Sequence, residues 1–178
     1  MSEPSTHTVY TIGHSTHSSA EFLEMLQSVG IKTLADIRRL PGSRKYPQFD
    51  QENLKKTLEA SGIHYIHLSD LGGRRKAKKD SKNNRWNNSS FRGYADYMET
   101  EEFEDAIVKL EQLALEQPTA YMCSEAVWWR CHRSLVSDYL KAKGWTVFHI
   151  MATGKVREHT YTAPARIVDG RLSYSDEN

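Results

Sequence analysis

The chain has 178 residues, 38% of them hydrophobic and 26% charged, with a formal net charge of +1. That length reads as one α/β domain over residues 1–178 with room for a real hydrophobic core, and the near-neutral balance means that any basic surface has to come from local clustering. Two cysteines do not suggest a disulfide framework, and neither a signal-peptide core nor a membrane-length apolar run is seen, so the expectation is a cytoplasmic protein with no membrane association.

Residues 8–12 form a short β-prone run that breaks at Gly13-His14-Ser15-Thr16. Ser18 or Ser19 caps a helix reaching about Val29, with Phe22, Leu23, Met25, Leu26 and Val29 on its inner side. Residues 31–37 read as a second strand, running into Asp36-Ile37-Arg38-Arg39 and the turn-like Leu40-Pro41-Gly42-Ser43-Arg44. A second helix over 50–60 is stopped by Gly62, and a third strand over 63–68 contains His64 and His67. Residues 94–117 read as helical with a break near Thr100, and Phe103, Ile107, Leu110 and Leu113 or Ala114 form the buried stripe. The stretch from Ala120 starts apolar and turns polar at Cys123 and Glu125. It crosses two tryptophans, reaches Arg130-Cys131-His132-Arg133, and continues as a helix through Leu135, Val136, Tyr139 and Leu140 to Gly144. Residues 146–151 are the fifth strand, which closes a core spanning about 8–151. Asp169-Gly170 marks a hairpin within 165–174. Strand–helix alternation of this kind predicts a three-layer α/β fold: a mostly parallel five-stranded sheet, helices on both faces, and a C-terminal β-hairpin.

Parallel topology with right-handed crossovers brings the strand ends to one edge. That edge would hold His14 after strand one, Asp36 and Arg38 after strand two, His67 after strand three, and Cys123 and Glu125 after strand four. A histidine at a strand end is more often a hydrogen-bonded structural residue, and Asp36 and Arg38 share a strand face and can simply pair. Convergence is what points to a site. The helix N-terminus beside Arg130 and Arg133 offers free N–H groups and positive charge, a setting for an anion such as phosphate. Residues 72–93 carry eight basic side chains against Asp80 alone, with Trp86 and Phe91 interleaved. Such an insert suits a phosphodiester backbone with base stacking and would act as a lid or clamp; the plainer reading is a solvated flexible loop.

Three chemistries fit these residues. Cys123, Cys131, His132, His14, His67 and Glu125 are metal-ligand types, but Cys-x7-Cys-His lacks the short paired spacing of structural zinc sites, so neither a metal nor a cofactor is expected. A thiolate at Cys123 is the second option, although Cys-x6-Arg is one residue longer than the Cys-x5-Arg phosphate loop and lacks its glycines. The third, which is preferred, makes Glu125 or Asp36 a general base or nucleophile, with arginines and His14 stabilising charge during hydrolysis or glycosyl transfer.

Several motifs occur together: Thr11-Ile12-Gly13-His14-Ser15; Asp36-Ile37-Arg38 with Pro41, Ser43, Arg44 and Phe49; Leu71-Gly72-Gly73-Arg74-Arg75; Phe91-Arg92-Gly93-Tyr94-Ala95 with Tyr97-Met98; and Met122-Cys123-x-Glu125 leading to Cys131-His132-Arg133. In that order, across about 8–150, they resemble the bacterial and archaeal domain-of-unknown-function family 488. The resemblance implies a compact α/β domain and brings no settled reaction. With it, Glu125, Cys123, His14 and Asp36 are the expected catalytic residues. Substrate or anion contacts fall to Arg38, Arg44, Arg74, Arg75, Arg92, Tyr94, Arg130, His132 and Arg133, and accessory roles to Cys131 and His67. The expected activity is on a phosphate-bearing nucleotide or nucleic acid, without an obligate protein partner. The rival readings are a non-catalytic nucleic-acid-binding module and a nucleotide or phosphate sensor.

Overall fold

In the computed structural model, which describes residues 7–177, the β-prone runs pair into one six-stranded sheet of order β3-β2-β4-β1-β5-β6. Its strands are β1 (Thr8–Gly13), β2 (Thr33–Asp36), β3 (His64–His67), β4 (Thr119–Cys123), β5 (Thr146–Ala152) and β6 (Lys155–Glu158). The first five are parallel to their neighbours, and β6 runs antiparallel to β5. This sixth strand corrects the expected count of five. Lys155-Val156-Arg157-Glu158 is exposed throughout and holds a single apolar residue. It therefore carries no burial pattern, and it joins the edge through backbone bonding after the turn at Gly154.

Five helices cover the sheet: α1 (Ser19–Ser28), α2 (Gln51–Ala60), α3 (Ser89–Tyr97), α4 (Glu101–Glu116) and α5 (Arg133–Ala142). Alternation along the strands sends Ile12, Leu34, Ala120 and Met122 to one face, where they meet Phe22, Met25 and Leu26 of α1 and Leu54 and Leu58 of α2. The other face sends Val9, Ala35, Tyr121 and Val147 against Phe103, Ile107 and Leu110 of α4 and Leu135, Val136 and Leu140 of α5. Each Val, Leu, Ile, Phe or Met among them contributes about 1.5–3 kcal/mol on burial. The chain leaving β1 and β2 thus packs on one face and the chain leaving β3 and β4 on the other. The neighbouring strands β1 and β4 therefore send the chain to opposite faces at their carboxyl ends, the place where open α/β sheets hold ligands.

Capping sets the helix boundaries. Ser18 forms a capping box with Glu21 at the start of α1, and the Thr100 hydroxyl accepts from Phe103 N to start α4, which is the expected break. Helix α3 begins at Ser89, earlier than Tyr94, because the Asn88 side chain accepts from Ser90 N and Phe91 N. The C-terminal strands β7 (Arg166–Val168) and β8 (Arg171–Ser173) form the hairpin, turning through Asp169 and Gly170, both at positive φ.

The basic insert is a built loop rather than a solvated one. Buried Asp96 on α3 accepts hydrogen bonds from Lys78 N (2.9 Å), the Ser81 hydroxyl (2.6 Å) and Asn83 Nδ2 (2.7 Å). Trp86 packs edge-on against Phe91 and Tyr174. A Cβ at Gly93 would collide with the Arg75 carbonyl, so the loop passes against the helix backbone. No helix among the described residues is long and apolar enough to cross a membrane.

Candidate active site

A cleft of about 640 Å³ opens at the carboxyl edge of the sheet. Its walls come from the segments after β1 and β2, the start of the insert, one side of α3, and the loop between β4 and α5. The pairing of β1 with β4 continues into that last loop, where His14 N donates to Cys123 O (3.0 Å) and Ser15 N to Ser124 O (2.9 Å). Gly13 permits this approach, since a Cβ there would overlap the Glu125 carbonyl. Glu125 is the single carboxylate in the lining, and Arg38, Arg39, Arg74 and Arg130 share it. Arg39, adjacent to the Asp36-Ile37-Arg38 motif, was not among the expected site residues; its guanidinium donates to Arg74 O (3.0 Å).

His14 is buried, and its ring stacks on Phe49 at 4.3 Å. Nδ1–H donates to Ser15 O (2.9 Å), which leaves Nε2 as the unprotonated nitrogen. Burial lowers its pKa to about 4, so the ring is neutral near pH 7.

The two thiols differ. Both line the cleft, Cys123 1% and Cys131 6% exposed. Burial pushes Cys123 well up, so it is held as a thiol. Burial also acts to raise Cys131, but the neighbouring Cys123 thiol, the Arg133 guanidinium and the Arg133 backbone N–H outweigh it, and the net shift is downward; Cys123 Sγ itself faces Glu125 O at 3.9 Å. His132 Nε2–H donates to Ile37 O (3.1 Å), so its Nδ1 is the acceptor facing Cys131 Sγ at 3.3 Å. Burial lowers the His132 pKa and keeps it a neutral base. A thiol, an imidazole and an orienting carbonyl therefore stand in a row, the arrangement that activates a cysteine nucleophile. Of the two thiols, Cys131, expected only in an accessory role, is the one with an imidazole nitrogen beside its sulfur.

The DUF488 family model, described as a domain of unknown function, matches residues 18–140. The chain belongs to the DUF488 family. No curated protein and no solved structure matches it. Within the DUF488 match lie every wall of the cleft except the His14 segment, and the whole of the Cys131–His132 row.

Several expected site residues of this DUF488 chain stand elsewhere. Asp36 is fully buried outside the lining. Its carboxylate accepts from Arg38 Nε (2.9 Å) and NH2 (2.8 Å), from Arg38 N (3.1 Å) and from the Tyr65 hydroxyl. Arg38 NH1 donates to Phe49 O (2.8 Å), so the pair ties β2 to the loop before α2 and leaves no free carboxylate for catalysis. His67 Nε2 donates to Arg38 O (2.7 Å), also outside the lining. Arg133, expected to contact an anion at the helix N-terminus, is 2% exposed beneath the loop and does not line the cleft. Its NH2 donates to Glu125 O (3.3 Å), its Nε has no partner, and it makes no ion pair among the described residues. Arg75 lies over the Tyr97 ring at 3.6 Å, Arg92 NH2 donates to Asn87 O (3.3 Å), and Arg44 is exposed; none of the three lines the cleft. Tyr94 lines it, with its hydroxyl donating to Leu71 O (2.7 Å) and its ring 5.1 Å from that of His132. The insert contributes Gly73, Arg74, Ser90 and Phe91, the last two at the start of α3, and its lysines lie outside the lining. No group of three or more His, Cys, Asp or Glu among the described residues is placed to hold a metal.

One positioning device carried no motif in the sequence. A buried row runs from the Thr11 hydroxyl to His149 Nδ1 (2.6 Å), from His149 Nε2 to His159 Nδ1 (2.8 Å) and from His159 Nε2 to Asp138 Oδ1 (2.8 Å). Trp128 stacks on His149 at 4.5 Å and 2°, which fixes the 3-10 turn Trp128–Arg130 and with it the approach to Cys131. The sole signal was two histidines at positions that require buried partners.

Proposed function

We propose that the cleft is the active site of an enzyme hydrolysing a phosphate ester or anhydride in a nucleotide or nucleic acid, with Cys131 as nucleophile. One observation carries the reading: the thiol–imidazole–carbonyl row lies in a cleft that offers four arginines and one carboxylate. Arg74 and Arg130 supply charge-assisted donors for the phosphate. The Cys131 proton passes to His132 Nδ1, and the sulfur forms an S–P bond as the P–O bond to the leaving group breaks. The imidazolium returns the proton to that leaving oxygen. Glu125 then takes a proton from water, whose oxygen attacks phosphorus and releases the thiolate. A thiol nucleophile with its own base favours such hydrolysis over glycosyl transfer.

The exposed lysines at 76, 78 and 79 favour a polymer over a free nucleotide, because they offer charge beyond the cleft. They are also what a non-catalytic nucleic-acid-binding module would use, so turnover decides between the two. The test is product release from a panel of nucleotides and short oligonucleotides. Wild type is expected to turn one class over. Cys131→Ser should lose about 10³-fold or more of the rate, and Glu125→Gln should stall after one turnover, both with affinity retained. Full turnover in Cys131→Ser would remove the nucleophile from the scheme, and binding without turnover across the panel would favour the binding module.

A further inference from the structure

We infer that Arg133 is a masked phosphate-binding residue: an oxyanion entering the cleft turns the Glu125 peptide aside and takes the edge of the buried guanidinium, at the N-terminus of α5. Its place in the cleft rests on the phosphate reading proposed above, and its affinity needs no catalysis.

The described residues include two buried arginines, and the fold treats them differently. Arg38 is 7% exposed; its Nε and NH2 close on the Asp36 carboxylate at 2.9 and 2.8 Å, and its NH1 donates to Phe49 O at 2.8 Å. That is a guanidinium used as a tie, with each of its nitrogens bonded. Arg133 is 2% exposed and lacks such partners. Its Nε makes no hydrogen bond, its NH2 has one long bond to the Glu125 carbonyl (3.3 Å), and no carboxylate pairs with it among the described residues. A buried charge left in this state destabilises the fold, and a buried donor without an acceptor calls for an explanation. The open Nε–NH2 edge is the one that takes two oxygens of a phosphate in parallel.

The surroundings suit an anion. Arg133 is the first residue of α5, a helix of 10 residues whose N-cap, His132, gives no side-chain acceptor and whose first turn has no acidic residue. The positive end of the helix is therefore not neutralised. Glu125, whose carbonyl now holds NH2, lines the cleft, as do Cys123, Cys131 and His132, all of which feel the Arg133 charge. The segment that masks the guanidinium is lightly held. Ser124, Glu125 and Ala126 are exposed, and the N–H groups of Glu125, Ala126 and Val127 donate to nothing among the described residues. Turning the Glu125 carbonyl outward breaks its 3.3 Å bond to NH2 and a weak thiol contact at 3.9 Å. The free N–H groups of the segment can then face the same anion, as successive backbone N–H groups do in other phosphate-binding loops.

The test is thermal melting of the full-length protein in inorganic phosphate against sodium chloride at matched ionic strength, with amide hydrogen exchange on the same samples. Wild type should melt higher as phosphate rises, and the amides of residues 125–127 should exchange about tenfold or more slowly in phosphate. Arg133→Met keeps much of the side chain's length and drops the charge. Without phosphate it should melt no lower than wild type and rise by about 2–4 °C, and it should lose the phosphate-dependent shift. A wild type blind to phosphate, an Arg133→Met protein that melts lower or fails to fold, or one that keeps the shift would each overturn the inference. Turnover of a phosphate ester with the Arg133→Met shift intact contradicts only this inference. Phosphate binding that is lost in Arg133→Met, without turnover of any substrate by wild type, contradicts only the proposed function.

Discussion

Asp36→Asn separates a structural carboxylate from a catalytic one. The substitution keeps shape and removes the charge opposite Arg38, whose side chain is 7% exposed and whose Nε and NH2 both end on Asp36. Breaking a buried pair by removing one partner costs about 3–5 kcal/mol, since the remaining charge is left uncompensated. With a urea dependence of about 2 kcal/mol per molar, the unfolding midpoint should fall by about 2 M. A domain starting near the low end of the usual range of about 5–15 kcal/mol then folds only marginally. Arg38→Met alone should cost a similar amount, and the double variant Asp36→Asn, Arg38→Met should cost clearly less than the sum, because the two act as one unit. Urea titration followed by tryptophan fluorescence reads all three. An Asp36→Asn midpoint indistinguishable from wild type, with turnover abolished, would refute the structural assignment and return Asp36 to the chemistry.

Three further outcomes follow from the geometry. Gly13→Ala places a Cβ in the Glu125 carbonyl; it should destabilise the protein by about 1–3 kcal/mol and weaken anion binding, read by thermal melting and titration, and unchanged values would contradict the tight β1–loop approach. His14, His132 and His149 all have pKa values lowered by burial. The unfolded chain therefore binds protons that the folded one refuses, so stability is full above the ordinary value of 6.5 and falls as pH drops toward 4. His14 alone accounts for about 3 kcal/mol at pH 4. Urea midpoints across pH should show the decline, shallower in His14→Gln, whereas a flat profile between pH 7 and 5 would contradict the buried neutral rings. Neutralising the lysines at 76, 78 and 79 together should lower the salt slope of oligonucleotide binding by about 2–3; an unchanged slope would place the polymer elsewhere.

Periodicity and caps located α1, α2, α4, α5 and the parallel strands, because Phe22-Leu23-Met25-Leu26 and the Ser18 and Thr100 caps are local signals, whereas the first half of α3 lay inside the stretch read as the insert. Strand β6 was invisible since its exposed side chains leave only backbone pairing to define it. Convergence of His14, Arg38, Cys123 and Glu125 on one edge followed from parallel topology, and all four line the same cleft. Which groups are free there was not legible. Whether Asp36 is consumed by Arg38, or which thiol faces a cation, depends on side-chain directions that residue spacing does not carry. The basic insert misled for a related reason: its order comes from Asp96 on α3, more than ten residues beyond the loop positions it holds. His149 and His159 acquire meaning only when β5 and the segment after β6 bring them together.

The most direct test of the central claim is a calorimetric titration of a nucleoside monophosphate into wild type and into the double variant Arg74→Ala, Arg130→Ala. The cleft account predicts saturable binding to wild type and a loss of about tenfold or more in affinity for each arginine removed. Equal affinity in the double variant, or no binding of any phosphate-bearing ligand to the wild-type protein, would contradict it.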